Sequence, residues 1–230
     1  LSLDTTISVT TKRKYLIVSK VFVSQLYRLG LVTVDLTVGV KSFRSSSGFH
    51  TTGFTDEEMS RILEQLNVTS DLRLKLIVYL KCFGGLRDIE ITRLTVEGLN
   101  LDEGFIQIHG KDRDGVEQSP NVGQIVQVLR EYLQSSGKRS GTLVTSESRR
   151  NYGQPLTTTS VWFVVRDFLN GLGIHRNPHQ VRSFFVSSLV KGMGDNLFNV
   201  IYFSRHRNIQ TLQNYVNQIG KCHNFLIANF

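Results

Sequence analysis

The sequence predicts a mainly α chain with a small antiparallel β-sheet, an α+β domain preceded by a shorter helical piece. Three observations carry this. Apolar residues recur at steps of three and four through most of the chain, which is the spacing of a buried helix face. A single stretch, Phe105-Ile-Gln-Ile-His109, alternates with the period of a strand. Between residues 41 and 53 the composition thins to Ser, Gly and Thr, separating an N-terminal part from the rest.

The elements follow in order. Tyr15, Val18, Phe22, Leu26 and Leu29 lie on one stripe, so residues 9–29 form an amphipathic helix that Gly30 ends. Thr55-Asp-Glu-Glu58 is a capping box with Met59, Ile62, Leu63 and Leu66 behind it, a helix start. Residues 71–83 are again helical, Gly84-Gly85 interrupts them, and a short helix follows from about Arg87. After the strand at 105–109, Gly110 and Asp114-Gly115 supply turn chemistry and Val116 opens a returning strand, a β-hairpin with Lys111 near its tip. Residues 121–134, 158–169, 177–190, 195–203 and 208–216 complete the helices. The expected organisation is a helical piece over 1–48, a linker over 49–54 and a second domain over 55–230.

Charge narrows the class of partner. The net charge is +8, which suits a polyanion. Its distribution says more: residues 1–54 carry seven Lys or Arg (Lys12, Arg13, Lys14, Lys20, Arg28, Lys41, Arg44) against Asp4 and Asp35, a balance of +5. The other 176 residues contribute only +3. The first helix therefore presents a basic outer face. Cys82 and Cys222 stand far apart, so neither a disulfide framework nor a cysteine zinc site is indicated. With no apolar run near the ~20 residues of a membrane span and no signal peptide, a cytoplasmic protein with no membrane contact is expected. Leu1 is not an initiator methionine, so residues upstream are expected to be missing.

A second group of residues bears on chemistry. Asn177 is a good N-cap and Pro178 suits the first helical position, so His179 and Arg182 share a face in a first turn, where backbone N–H groups favour an anion. Alone, an H-x-x-R pair is an ordinary polar surface feature, and Lys111 alone is a solvated hairpin lysine. His175 and His179 are spaced as a metal pair, but Pro178 puts His175 before the helix, so no metal site is expected. Tyr215 follows the polar run Gln210-Thr-Leu-Gln-Asn214, whereas Tyr15, Tyr27, Tyr79, Tyr132 and Tyr202 sit in apolar-periodic segments. A hydroxyl in a polar setting is available for chemistry.

Taken in order, Gly85-Leu86-Arg87-Asp-Ile-Glu90, Gly110-Lys111, His179-x-x-Arg182, His206 and Tyr215 nine residues later resemble the active-site stations of the tyrosine recombinase (phage integrase) family over about residues 55–217. The resemblance implies that the second domain is a tyrosine recombinase catalytic domain. It also implies that the basic helix is the end of a partial, N-terminally truncated core-binding domain. The chain departs from the family at Phe203-Ser-Arg-His206, where Leu-Gly-His is usual, and in a returning strand without a basic residue.

The residue types suit that chemistry. Arg87 and Arg182 offer planar forks able to clamp one phosphodiester and stabilise the charge that builds as it is attacked. Tyr215 is the nucleophile that would leave a 3′-phosphotyrosyl link, His179 the general base or proton relay, Lys111 the acid for the leaving 5′ oxygen, and His206 a donor to the phosphate. The resemblance gives Glu90 the task of orienting Arg87. Because the covalent link keeps the phosphodiester energy, no cofactor, ATP or metal is needed. The expected function is site-specific recombination of double-stranded DNA at a specific site. Lys12, Arg13, Lys14, Lys20, Arg28, Lys41, Arg44, Arg205 and Arg207 are the expected DNA contacts. A type IB topoisomerase and a catalytically silent DNA-binding regulator are the alternatives. Ile219, Cys222, Leu226 and Phe230 form an apolar stripe, and the resemblance implies that this C-terminal tail inserts into a neighbouring subunit of a synaptic tetramer.

Overall fold

The structure is a computed structural model that describes residues 6–43, 54–109, 115–120, 123–193, 196–206 and 212. The chain divides into two compact units, Leu1–His50 and Thr51–Phe230.

In the first unit, α1 (Val9–Arg28) is capped by the Ser8 hydroxyl, which accepts from the Thr11 N–H at 3.2 Å. Gly30, at φ 70°, turns the chain out of the helix. The expected apolar stripe does not lead to burial: Tyr15, Val18, Phe22 and Leu29 are exposed.

The second unit is built on α3 (Leu72–Cys82), whose residues from Leu76 to Cys82 are all buried. α2 (Asp56–Val68) starts at the expected capping box, with Thr55 Oγ1 accepting from the Glu58 N–H and Glu58 Oε2 accepting from the Thr55 N–H. It packs Met59, Ile62 and Leu66 into the same core as Leu76, Ile77 and Leu80 of α3. α5 (Gly123–Ser136) adds Ile125 and Leu129, and α6 (Thr158–Gly171) adds Val161, Val165 and Leu169. α4 (Asp88–Thr92) is a single short turn after the Gly84-Gly85 break.

Among the described residues the sheet has three strands where the sequence predicts a hairpin. β2 (Phe105–His109) pairs antiparallel with β3 (Val116–Pro120), from Phe105 opposite Pro120 to His109 opposite Val116. Ile106 and Ile108 are buried while Gln107 and His109 face out, the alternation read from sequence. The added strand is β1 (Leu99–Asn100), pairing with Ile106 and Phe105; two residues are too few to carry a periodic signal.

α7 (His179–Met193) and α8 (Leu197–Ser204) form a second apolar cluster, with Phe185, Val186, Leu189 and Val190 meeting Val200. Leu212 is buried in this cluster too, three residues before Tyr215. Contrary to expectation, an apolar-periodic setting does not always bury a tyrosine: Tyr79 and Tyr132 are buried, but Tyr15, Tyr27 and Tyr202 are exposed. Of the expected helix over 208–216, all but Leu212 lies outside the described residues.

Candidate active site

The centre is Glu90. The chain leaves α3 through Gly84 and Gly85, and the Leu86 N–H reaches back to the Leu80 carbonyl. Gly85 sits at φ 56°, and a Cβ placed there would meet the buried Phe185 ring at 2.2 Å, so both conformation and space require glycine. This turn sets Arg87 as the N-cap residue of α4 and drives Glu90 inward, where its side chain is 1% exposed.

A carboxylate so buried must be surrounded by donors. Glu90 Oε1 accepts from Arg87 Nη1 at 2.7 Å, and Oε2 accepts from the Arg87 N–H at 2.8 Å and from Arg205 Nη2 at 2.9 Å. Burial pushes its carboxyl up, but Arg205, the Arg87 N–H, Arg182 and the Arg87 guanidinium together hold it below the ordinary carboxylate range. Glu90 therefore stays ionised. Arg87, 40% exposed, keeps part of its guanidinium open to solvent while one edge is fixed.

Arg182 and His206 join this group from α7 and from the residues just after α8. Arg182 Nη2 donates to the Ser204 carbonyl at 2.7 Å, and Ser204 Oγ lies 2.8 Å from His206 Nδ1. Burial, reinforced by the positive charges of Arg182, Arg87 and Arg205, lowers the His206 pKa to about 4. The ring is thus neutral at physiological pH. With the Ser204 hydroxyl donating to Nδ1, the proton of the neutral ring sits on Nε2.

His179 stands at the start of α7, capped as expected: Asn177 Oδ1 accepts from the His179 N–H at 3.0 Å. Its side chain is 69% exposed, with Nδ1 3.5 Å from Asp88 Oδ2. The other oxygen of Asp88 pairs with Lys81, and both of those side chains are buried. Lys81 and Asp88 were missed at the level of sequence. The available signal was a lysine inside the apolar run from Leu76 to Phe83, which a buried helix tolerates only with a carboxylate partner.

The structure thus gathers Arg87, Glu90, Arg182 and His206, with His179 beside Asp88. Lys111, Tyr215, Arg44 and Arg207 lie outside the described residues. Two expected DNA contacts are corrected. Arg205 is not on the surface: its side chain is 4% exposed because the chain turns through φ 54° at the end of α8 and directs the guanidinium inward. Lys12 is buried at 8% exposure, not part of an open basic face. Lys20 is part-buried and donates to the Val40 carbonyl, whereas Arg13, Lys14, Arg28 and Lys41 are exposed.

The chain matches the phage integrase family over residues 53–220. It is 27% identical over 167 residues to the tyrosine recombinase XerA of Pyrococcus horikoshii, covering 73% of this chain and 57% of that protein. With a tyrosine recombinase of Synechococcus elongatus it shares 31% identity over 196 residues, 82% of this chain and 61% of the relative. It therefore spans less than two thirds of the length of either. Among solved structures, the XerH site-specific recombinase bound to difH substrate, in a pre-cleavage complex, has a TM-score of 0.71 at 20% identity, over 92% of this chain and 63% of that one. That likeness is one of fold.

Proposed function

Because the chain belongs to the phage integrase family of tyrosine recombinases, we propose that it breaks and rejoins DNA strands in site-specific recombination through a 3′-phosphotyrosyl intermediate. The observation that carries this reading is the joint action of Arg87 and Arg182. They lie far apart in sequence, yet Arg87 is bonded to Glu90, Glu90 to Arg205, and Arg182 to the carbonyl of the adjacent Ser204, whose hydroxyl meets His206, so both arginines converge on one centre. Two forks and a neutral imidazole donor at one place suit a phosphodiester whose non-bridging oxygens gain charge during attack.

The roles divide as follows. Arg87, fixed by Glu90, and Arg182, fixed on the Ser204 carbonyl, clamp the scissile phosphate. His206 donates from Nε2. Tyr215 attacks phosphorus, the bond to the 5′ oxygen breaks, and Lys111 supplies the proton to that oxygen. His179 takes the tyrosine proton, and Asp88 holds its Nδ1 edge so that Nε2 faces outward. Such proton transfers are typically worth about 10²–10⁴ in rate. Religation runs the same steps in reverse on another 5′-hydroxyl.

Double-stranded DNA is the partner, and the first unit belongs to a core-binding domain that contacts it through Arg13, Lys14, Arg28 and Lys41. Because such contacts release counterions, affinity should fall steeply with salt. Among the described residues no helix is long and apolar enough to cross a membrane, and the enzyme would act in the cytoplasm on nucleoid or host-cell DNA. The tail residues Ile219, Cys222, Leu226 and Phe230 insert into a neighbouring protomer and couple active sites in a closed ring. Deleting residues 219–230 should leave DNA binding intact and block strand exchange. Full-rate recombination by the truncated protein would refute the tail's role.

The test of the function itself is incubation with a nicked suicide duplex, its sequence selected by this chain from a randomised pool. A covalent protein–DNA adduct is expected. Tight binding with no adduct would overturn the reading.

A further inference from the structure

We propose that Arg205 is a positioning residue for strand cleavage, tying Glu90, and through it Arg87, to the turn that presents His206. The inference rests on the function proposed above and assigns to Arg205 a task other than touching DNA.

Four contacts place the guanidinium. Nη1 donates to the Gly84 carbonyl at 3.2 Å and to Ser119 Oγ at 2.8 Å. Nη2 donates to the Gly85 carbonyl at 3.1 Å and to Glu90 Oε2 at 2.9 Å. One planar fork thereby joins the glycine turn before α4, the edge strand β3 and the buried carboxylate that orients Arg87. Its own backbone is the C-cap of α8, and the next residue is His206.

The backbone makes the same point. Among the described residues, Arg205 is the one non-glycine residue at positive φ. A side chain with a Cβ is disfavoured there and glycine is not. An arginine held in that conformation, with its head group buried among four acceptors, is positioned by what the head group does. A DNA contact would need the guanidinium in solvent, and it is enclosed.

Removing it leaves a buried carboxylate short of its strongest counter-charge. The charged groups facing Glu90 are Arg87 at the start of α4, Arg182 on α7 and Arg205 after α8, with the His206 ring nearby and neutral. Without Arg205, the desolvation of Glu90 is opposed less, so its carboxyl takes up a proton at higher pH. A protonated Glu90 no longer pairs with Arg87, and the clamp loosens as the pH falls.

Arg205→Gly is the informative variant because glycine adopts the turn without strain. On the selected nicked duplex at saturating DNA, single-turnover adduct formation should fall by roughly 10- to 100-fold, the scale of a mispositioned reacting group. DNA affinity should be nearly unchanged. The deficit should deepen toward acid pH, and Arg205→Lys, which keeps the charge but not the fork, should fall in between. In the absence of DNA, carbon-13 NMR of the Glu90 carboxyl, assigned with Glu90→Gln, should titrate at higher pH in Arg205→Gly than in the wild type. A glycine variant with wild-type rate and pH profile, or an unmoved Glu90 titration, overturns the proposal. A shifted titration with no adduct even from the wild type would instead support the positioning and sink the recombinase reading.

Discussion

Replacing Gly85 with alanine should destabilise the second unit and disable the centre, by an amount the geometry sets. At φ 56° an alanine pays the left-handed penalty of roughly 1–2 kcal/mol. Its Cβ would lie 2.2 Å from Cδ1 and 2.3 Å from Cε1 of Phe185. That ring is buried in the α7–α8 cluster and cannot swing away, so overpacking adds roughly 1–3 kcal/mol. The sum, roughly 2–5 kcal/mol, corresponds to a fall in Tm of about 4–20 °C for a unit of this size. Arg87 follows two residues later, so the relief movement displaces the clamp as well. Thermal unfolding followed by circular dichroism measures the loss. Phe185→Leu in the alanine background should restore only the steric part, leaving the backbone penalty. A Gly85→Ala protein melting within about 2 °C of wild type would refute the packing argument, and full recovery in the double variant would refute the backbone one.

Lys81→Met leaves Asp88 buried without its counter-charge and should cost about 3–5 kcal/mol. Adding Asp88→Asn should recover much of that stability without restoring cleavage, since the Nδ1 edge of His179 has then lost its carboxylate; a double variant no more stable than the single one in denaturant titration would refute the pairing. For His206, the folded pKa of about 4 lies below the ordinary 6.5, so the unfolded chain binds the proton first as pH falls. Stability should therefore drop between those values by up to about 3 kcal/mol, at ~1.4 kcal/mol per pH unit, less a discount for the ring's partial exposure. His206→Gln should flatten that limb of the stability curve, and an unchanged acid slope would contradict it. Arg87→Ala or Arg182→Ala should each slow single-turnover cleavage by roughly 10²–10³, with lysine restoring little; near-normal cleavage by either alanine variant would sink the clamp.

What was legible in the sequence was whatever is local. The Thr55 capping box, the cap at Asn177 and the alternation of Ile106 and Ile108 are written in adjacent residues, and the structure has them where they were expected. Arg87, Glu90, Arg182 and His206 were found because their types and order suit one chemistry, and the fold brings them together. Three features were not legible, each because tertiary context decides it. The stripe on α1 signals amphipathicity, but no periodicity says whether a partner covers it. β1 has two residues, and its place is set by pairing with Ile106 and Phe105, next to the Gln107 N–H that donates to the Gly98 carbonyl. Arg205 reads as a surface cation until the left-handed turn is known, since that turn, set by packing of α8, aims the side chain at Glu90.

On the proposed mechanism Tyr215 forms a covalent bond to DNA. Digesting the adduct made on the nicked suicide duplex and locating the modified peptide by mass spectrometry tests it directly. A 3′-phosphate carried on Tyr215 is expected, with the adduct abolished and DNA affinity nearly unchanged in Tyr215→Phe. A modified peptide mapping to any other residue, or an adduct that survives in Tyr215→Phe, would contradict it.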